Sequence, residues 1–307
     1  MTHSSELTGR AKQTQRILVT GATGKQGGGL ARILIQRGHH VRAFTRTPES
    51  PAALALKTAG AEVVQGDLGE IASVERAAKG MDVAYIVATP FQHGPAAETR
   101  FATTGVDGAR AGGVPYIVYS SVSDADRETG IPHFESKALA EAHLKGTGTD
   151  YSIISPVFFV DNLLSPWMGA GLAKGTLAMG VAPDRKLQSI SVAEIAEFTT
   201  LAVEQRQAFR GKRINIGSDE TTPVEMARLL SESIGQKISY FQVPLEEMRK
   251  QNEDLAKMND WFNRVGYSVN IPQLKRDYPQ VHWGSFRDWV KAQDWKEALA
   301  ASTGPGA

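Results

Sequence analysis

Short apolar runs alternate, over the first half of the chain, with segments in which apolar residues recur at helical spacing. One such segment carries Leu30, Ile33 and Leu34 on a single face, as an amphipathic helix does. The short runs predict buried strands at residues 17–19, 41–45, 61–65, 81–87, 116–120 and 150–154. Helices are predicted between them, for example at residues 51–59, 71–79, 96–111 and 133–145. This alternation predicts an α/β fold, a doubly wound parallel sheet of six strands with helices on both faces.

The regular alternation stops after residue 156. Ser191 and Thr222 each stand three residues before a glutamate at the start of a helix-like segment, which is the pattern of a capping box. Residues 213–216 and 238–243 read as short strands. These mixed elements predict a smaller α+β lobe that closes over the first domain. We therefore divide the chain into a disordered tail (1–14), a first domain (15–156), a smaller lobe (157–298) and a flexible tail (299–307).

A glycine-rich turn joins the first strand to the first helix and reads GATGKQG over residues 21–27. Gly21 permits a tight turn, Gly24 lets the backbone approach a pyrophosphate, and Gly27 lets the helix pack close to the strand. The free N–H groups at the helix start would bind the diphosphate of a dinucleotide. Because the turn lies between a predicted strand and helix, it predicts dinucleotide binding. The expected contacts are Gly21, Thr23, Gly24, Lys25, Gln26 and Gly27.

The residues at the end of the second strand indicate which dinucleotide is bound. An acidic residue there would hold a ribose 2′-hydroxyl and repel a 2′-phosphate, but this chain has Thr45 and Arg46. Arg46 can make a forked contact with phosphate, which favours NADP over NAD. NAD stays possible, since the alternative interpretation of Arg46 is a solvated loop arginine.

Composition narrows the classes of function. The 307 residues carry a net charge of +1, so nothing predicts a nucleic-acid-binding field or a membrane-surface patch. There is no cysteine, which excludes disulfides, thiolate metal sites and a cysteine nucleophile. The first residues are polar, unlike a secretory signal, and no apolar run approaches a membrane span. We expect a cytoplasmic protein with no metal, no direct nucleic-acid partner and no membrane association.

Two loops at the carboxyl ends of predicted strands should border the dinucleotide, because ligands of doubly wound sheets bind there. After the third strand, Asp67 would accept a hydrogen bond from the adenine amino group and Leu68 would pack on the adenine ring. The alternative is that Asp67 caps the next helix. After the fourth strand, Ala88, Thr89 and Pro90 form the second loop.

His133 and Lys137 stand four residues apart in a predicted helix, which places both on one face. The glycine spacing G-x-x-G-x-x-G resembles that of atypical and extended short-chain dehydrogenases/reductases, in which a tyrosine four residues before a lysine exchanges the substrate proton. The resemblance implies that Lys137 binds the nicotinamide ribose. His133 would then be the proton donor, or would merely line the pocket. Ser121 would orient a carbonyl oxygen, or would simply end the fifth strand.

Seven segments spread over nearly the full chain read VTGATGKQGG, FTR, GDL, HFESKALAE, ISPVFFVDNL, SISVAEIAEF and RVGYSVNIPQLKRDYP. Together they resemble the NmrA-like family of atypical short-chain dehydrogenases. The resemblance implies a Rossmann nucleotide-binding domain, a small C-terminal lobe and a substrate cleft between them. It also implies that Pro156 and Phe158 pass the nicotinamide, and that Phe159 and Asn162 face the cleft.

The other candidates for substrate contact also belong to the expected cleft. Phe91 and Gln92 follow the fourth strand, and Trp261 belongs to the lobe. Ser121 and His133 would face the substrate as well. Large rings more often fill a core, which is the alternative for Trp261.

The family resemblance leaves two main hypotheses for function. In the first, the protein is an NADPH-dependent reductase of an aromatic or quinone-like small molecule, which receives a hydride from the nicotinamide. In the second, it is a non-catalytic redox sensor in which dinucleotide binding shifts a loop such as residues 91–95 and exposes a surface to a regulatory protein partner. A tailoring enzyme of natural-product biosynthesis is a third option, and a homodimer is a further possibility.

Overall fold

A parallel sheet forms the centre of the computed structural model, which describes residues 14–90 and 93–303. Within those residues the strands β1–β12 are, in chain order, Arg16–Val19, His40–Thr45, Glu62–Gln65, Val83–Ile86, Tyr116–Ser120, Asp150–Pro156, Phe158–Phe159, Thr176–Met179, Leu187–Ile190, Arg213–Ile216, Asp219–Thr221 and Ser239–Gln242. The helices α1–α14 of the same residues are Lys25–Gln36, Pro51–Thr58, Ile71–Ala78, Gly94–Ala111, Pro132–Gly146, Pro166–Ala173, Val192–Glu204, Arg206–Phe209, Pro223–Ile234, Leu245–Gln251, Glu253–Arg264, Ile271–Asp277, Phe286–Lys291 and Trp295–Thr303. None of the helices in this described part of the chain is both long and apolar enough to cross a membrane.

The main sheet has the strand order β3–β2–β1–β4–β5–β6–β10, and every pairing in it is parallel. The winding direction reverses between β1 and β4, since Ile17 pairs with Val41 on one side and with Val83 on the other. Such a reversal opens a crevice at the carboxyl ends of the strands, where ligands of this fold class bind. The predicted doubly wound α/β fold is confirmed.

The prediction of six strands in the sheet was one strand short. The seventh strand, β10, comes from the segment assigned to the lobe and lies beside β6, with Arg213 opposite Ile153. α7 comes from the same segment and packs on α1, where Gly29 allows Val192 to approach. The sheet and its helix layers therefore include chain from beyond residue 156, because the chain returns to the sheet after β9.

Side chains of the central strands alternate between two apolar layers, as the two-residue period of a strand requires. Ile17 and Val19 pack with α1 and α7, whereas Leu18 packs with α3, α4 and α5. Helices therefore cover both faces of the sheet, as predicted. Burial on both faces is the reason that the strands read as continuous apolar runs.

The lobe has its own apolar core beside two small sheets. β11, β9 and β7 form one sheet, and β12 pairs with β8 in the other. Phe134 of α5 packs in this core against Trp261 of α11. α5 also packs on α4 beside the main sheet, so one helix contacts both parts of the molecule.

The predicted helix starts of the later segment are both present, with different caps. At Ser191 the reciprocal capping box is confirmed. At Thr222 the hydroxyl accepts the N–H of Glu225 as predicted, but the carboxylate of Glu225 accepts from Arg228 instead of completing the box.

Candidate functional site

The glycine turn after β1 adopts the geometry that its glycines predict. Gly21 has a φ of +60°, in the left-handed region, and its carbonyl accepts the N–H of Gly24 at 2.9 Å. A Cβ on Gly27 would lie 2.4 Å from the carbonyl oxygen of Gly21, so only glycine permits this approach of α1. Thr23 is exposed, and among the described residues no side chain caps α1 at Gly24. The N–H groups of the first turn are therefore available to an anion.

Two polar side chains of the turn connect it to other elements. Lys25 donates to the backbone oxygen of Asp161 after β7, with 2.7 Å between Nζ and O. Gln26 donates to Ser120 Oγ at the end of β5, also at 2.7 Å. Burial lowers the pKa of Lys25 and raises the pKa of Asp161, whose carboxylate accepts the N–H of Val192. The turn is thus tied both to the sheet and to the lobe.

A cavity of about 710 Å³ lies beyond the carboxyl ends of β2 and β3. Arg46 and Asp67 line it together, as expected of the adenosine end of a dinucleotide site. Arg100 of α4 lines the same cavity and lies 5.2 Å from the centre of the Phe101 ring. Arg100 was not predicted as a binding residue, because it lies within α4 and outside every motif of the sequence. The cavity has the volume of a small-molecule pocket and carries two guanidinium groups.

The loop between β3 and α3 holds Asp67 and Leu68. Oδ1 of Asp67 accepts the N–H of Gly69 at 2.7 Å, and α3 begins after Glu70. The alternative that Asp67 caps this helix is therefore wrong. Leu68 is partly buried and its side chain lies close to Gly105 of α4, so adenine packing on Leu68 stays a prediction.

The ammonium of Lys137 is held from two sides at the carboxyl end of β4. Nζ donates to the backbone oxygen of Ala88 at 3.2 Å and lies 2.9 Å from Oε1 of Glu98. Glu98 is fully buried in α4, and its other carboxylate oxygen accepts from the hydroxyl of Ser136. Breaking a buried ion pair by removing one partner is costly. The ammonium is therefore fixed in place by a carboxylate that the sequence analysis did not identify.

The loop after β4 is described only in part. Thr89 is exposed, and the carbonyl of Pro90 accepts the N–H of Gly94 at 2.7 Å where α4 begins. Phe91 and Gln92, which were predicted to contact substrate, lie outside the described residues.

His133 lies one helical turn before Lys137 on α5, but its partner belongs to the lobe. Nδ1 of His133 is 2.5 Å from Oδ1 of Asp254, in the first turn of α11. The two side chains are 15% and 20% exposed, so this pair reaches solvent. The imidazole also packs edge-on against Phe134, with 4.9 Å between the ring centres. The structure thus places two acid-paired basic side chains one turn apart on α5.

Comparison with known proteins assigns the chain to a family. The profile of the NmrA-like family matches residues 13–295. This chain belongs to the NmrA-like family. The resemblance stated from the seven sequence segments is confirmed.

Known proteins similar to this NmrA-like chain include oxidoreductases and a regulator. The NmrA-like family domain-containing oxidoreductase FrzB of a Cladobotryum species is 35% identical over 161 residues, which is 48% of each chain. The triphenylmethane reductase of Citrobacter sp., complexed with NADP(H), has a TM-score of 0.74 and 22% identity, over 94% of this chain and 99% of that chain. NmrA, a negative transcriptional regulator in complex with NAD, has a TM-score of 0.78 and 18% identity, over 95% of this chain and 99% of that chain. Both structures share the fold.

Ser121 of this NmrA-like protein is part of a buried hydrogen-bond network. Its hydroxyl donates to Oε1 of Glu141 at 2.5 Å, and the same carboxylate accepts from Arg213 of β10. Ser121 and Glu141 are both buried. The hydroxyl proton is used within this network, and the role of Ser121 in orienting a substrate carbonyl stays a prediction.

The residues that were expected to line the cleft of this NmrA-like protein differ in their exposure to solvent. Pro156 is buried at the end of β6, while Phe158 and Phe159 are partly buried in β7. Asn162 is partly exposed in the short turn of 3-10 helix that follows. Trp261 is only 5% exposed and packs in the core of the lobe. This burial agrees with the alternative interpretation as a core ring, and its contact with substrate stays a prediction.

Three tyrosines of this NmrA-like chain lie in largely apolar surroundings. Burial raises the pKa of Tyr85, Tyr119 and Tyr267 above the ordinary value. The charges of Glu98 and Glu141 raise the pKa of Tyr119 further. These three phenols are therefore harder to ionise than a free tyrosine side chain.

Proposed function

We propose that this NmrA-like protein is an NADPH-dependent reductase of an aromatic or quinone-like small molecule. The observation that carries the proposal is the fixed ammonium of Lys137, held by Glu98 and by the carbonyl of Ala88. The adenosine-end cavity lies on the β2–β3 side of the glycine turn, and Lys137 lies on the β4 side. A dinucleotide bound across the turn would therefore have its nicotinamide half near Lys137.

The hydrogen-bond capacity of Lys137 fits a ribose anchor. An ammonium has three N–H donors; one donates to the carbonyl of Ala88, and Glu98 lies within ion-pair distance of Nζ. A donor remains for a ribose hydroxyl. Because Glu98 compensates the positive charge, we infer that Lys137 acts by position and not by lowering the pKa of a neighbouring acid.

The cavity beyond β2 and β3 supports NADP as the cofactor. A 2′-phosphate there would accept hydrogen bonds from Arg46 and Arg100, while Asp67 would remain for the adenine amino group. The complex of the triphenylmethane reductase with NADP(H) supports the same choice. In fluorescence titrations, Arg46→Ala should weaken NADPH binding by about 10-fold or more and leave NADH binding unchanged. Equal losses for both dinucleotides would contradict the 2′-phosphate contact.

The proposed chemistry requires few groups from the chain. When bound, NADPH supplies the hydride. A quinone is already a good electron acceptor, so positioning matters more than a strong acid, and the missing tyrosine is tolerable. The chain would bind the flat substrate beside Phe158 and Phe159 and supply a proton from His133.

An absorbance assay with NADPH and a panel of quinones and polyaromatic ketones tests the proposal. We expect turnover that falls by about 10–100-fold in Lys137→Ala, because the ribose contact is lost. Lys145→Ala is a control on the same helix, since the Lys145 side chain is 41% exposed and pairs with Glu141 and not with Glu98, and it should keep wild-type turnover. Absence of turnover, together with tight binding of both NAD and NADP, would contradict the reductase. That result would favour the redox sensor, which the likeness to the regulator NmrA supports.

A further inference from the structure

We propose that Asp254 of the lobe is the positioning residue of His133 and that His133 is the proton donor of the reaction. This inference rests on the proposed reductase function. Asp254 and His133 are 121 positions apart in the chain and belong to α11 and α5. The lobe would therefore complete the catalytic site as well as cover it.

The contact with Asp254 determines which nitrogen of His133 carries a proton. A carboxylate only accepts hydrogen bonds, so the 2.5 Å contact between Nδ1 and Oδ1 places a proton on Nδ1. In the neutral ring, Nε2 is then the unprotonated nitrogen, and in the imidazolium both nitrogens carry protons. Asp254 therefore selects the tautomer in which Nε2 exchanges a proton, as the aspartate of a serine-protease triad does for its histidine.

The remaining surroundings of His133 leave Nε2 for a ligand. Among the residues that the structure describes, none hydrogen-bonds to Nε2, and 15% of the side chain is exposed. The edge-on contact with Phe134 and the hydrogen bond to Asp254 together fix the plane of the ring. Lys137 follows four residues later on the same helix, so the proton donor and the proposed ribose anchor share a face.

The proton balance of the reaction assigns one proton to His133. Hydride transfer would break the C4–H bond of the reduced nicotinamide and form a C–H or O–H bond on the ketone or quinone with the same two electrons. The displaced π electrons of the acceptor would end on an oxygen, and NADPH would become NADP⁺. The reduced substrate then needs one proton on oxygen. The imidazolium of His133 gives up the Nε2 proton, keeps the Nδ1 proton, and is reprotonated from solvent. Asp254 itself takes up no proton.

Nuclear magnetic resonance tests the hydrogen bond without any substrate. In long-range ¹H–¹⁵N spectra at about two pH units above the ordinary histidine pKa, we expect His133 to show the Nδ1-protonated tautomer. His133→Gln assigns the signals, and Asp254→Asn should move them toward the other tautomer. The matched control is Asp107→Asn. Asp107 of α4 pairs with another histidine of α5, since its Oδ1 lies 2.8 Å from Nε2 of His143. An Nε2-protonated His133 in the wild type, or signals unchanged in Asp254→Asn, would overturn the proposal.

Steady-state kinetics separates a positioning role from a purely structural one. Asp254→Asn should lower kcat by about 10-fold or more and leave KM for NADPH unchanged, because only the proton transfer is affected. Asp254→Glu, which keeps the carboxylate, should restore part of kcat, and Asp107→Asn should match the wild type. An unchanged kcat in Asp254→Asn would refute the role of Asp254.

The two experiments distinguish failure of this inference from failure of the proposed function. If the wild type binds no NADPH or reduces no acceptor, the reductase proposal fails, and the tautomer spectra still show whether Asp254 sets the protonation of His133. If the wild type turns over and Asp254→Asn keeps full kcat, the inference about Asp254 fails alone.

Discussion

Two basic side chains of α5, those of Lys137 and His133, are held by different parts of the molecule. Lys137 is paired with Glu98 of α4, which is fully buried beside the main sheet. His133, one turn earlier, is paired with Asp254 of the lobe, which is partly exposed. The proposed ribose anchor is therefore held within the helix layer of the sheet, whereas the partner of the proposed proton donor belongs to the lobe. A single helix thus joins two functions that are separately adjustable.

Removal of Glu98 should have the largest effect, because it leaves the ammonium of Lys137 without its buried partner. Glu98→Ala is expected to lower the free energy of unfolding by about 3–5 kcal/mol in urea denaturation. As a control, Glu98→Leu combined with Lys137→Met replaces both charges with apolar groups and should recover most of the loss. Exposed ion pairs contribute up to about 1 kcal/mol. If Glu98→Ala lowered the free energy of unfolding by less than that, the Lys137–Glu98 pair would not differ from an exposed pair.

The affinity for NADPH should depend on Lys137 and not on His133. Lys137→Ala is expected to weaken NADPH binding by about 1.5–3 kcal/mol, since a hydrogen bond from a charged group is lost. His133→Ala should leave the Kd for NADPH unchanged, because its free nitrogen serves the substrate. Fluorescence titration of both variants measures the difference, and equal losses of affinity would show that the division of roles is incorrect.

Loss of the pair between His133 and Asp254 should lower the free energy of unfolding less than loss of the buried pair between Lys137 and Glu98. Asp254→Ala is expected to lower the free energy of unfolding by about 1 kcal/mol, the usual contribution of one hydrogen bond. Asp107→Ala removes a more exposed acid–histidine pair, between Asp107 of α4 and His143 of α5, and should cost about 0.5 kcal/mol or less. Urea denaturation compares the two variants. If Asp254→Ala lowered the free energy of unfolding as much as Glu98→Ala, the two ion pairs would not differ in their contribution to stability.

The smallest expected effect concerns Asp161, through which the glycine turn contacts the lobe. Burial raises the pKa of Asp161 above the ordinary 3.8, although the N–H of Val192 and the charge of Lys25 oppose the shift. The folded state therefore holds the proton more tightly than the unfolded state. Stability consequently decreases as pH rises from near the ordinary pKa through the raised one.

Replacement of this carboxylate should remove that dependence. Relative to the wild type, Asp161→Asn is expected to gain stability as pH rises from about 3 to about 7, because the amide has no charge to bury. Urea denaturation at several pH values measures both proteins. Parallel curves over this interval would contradict a raised pKa at Asp161.

The sheet and the glycine turn could be predicted from sequence because their signals are local. β5 was predicted at residues 116–120 and is observed at Tyr116–Ser120. Buried parallel strands read as apolar runs, and the turn requires glycine at positions 21 and 27 for steric reasons. The relation between His133 and Lys137 was also local, since one helix sets the spacing.

The partners of these side chains could not be predicted, because they depend on packing between distant elements. Glu98 stands in a helix of mixed polarity and is buried only because α5 packs on α4. Asp254 reaches His133 only through the arrangement of the lobe. The alternation of polar and apolar residues in Arg213–Ile216 indicated a strand, but a run of four residues is compatible with the main sheet or with a sheet of the lobe.

β10 has a consequence for the biosynthesis and the engineering of this chain. Because it lies beyond β6 at the edge of the sheet, a fragment that stops at Pro156 would leave β6 with an open edge and α1 without α7. During translation the sheet cannot be completed until Ile216 has left the ribosome, so residues 157–190 emerge as an insertion into an unfinished domain. Chimaeras that exchange this insertion with a relative therefore need two crossover points, one before β7 and one after β9.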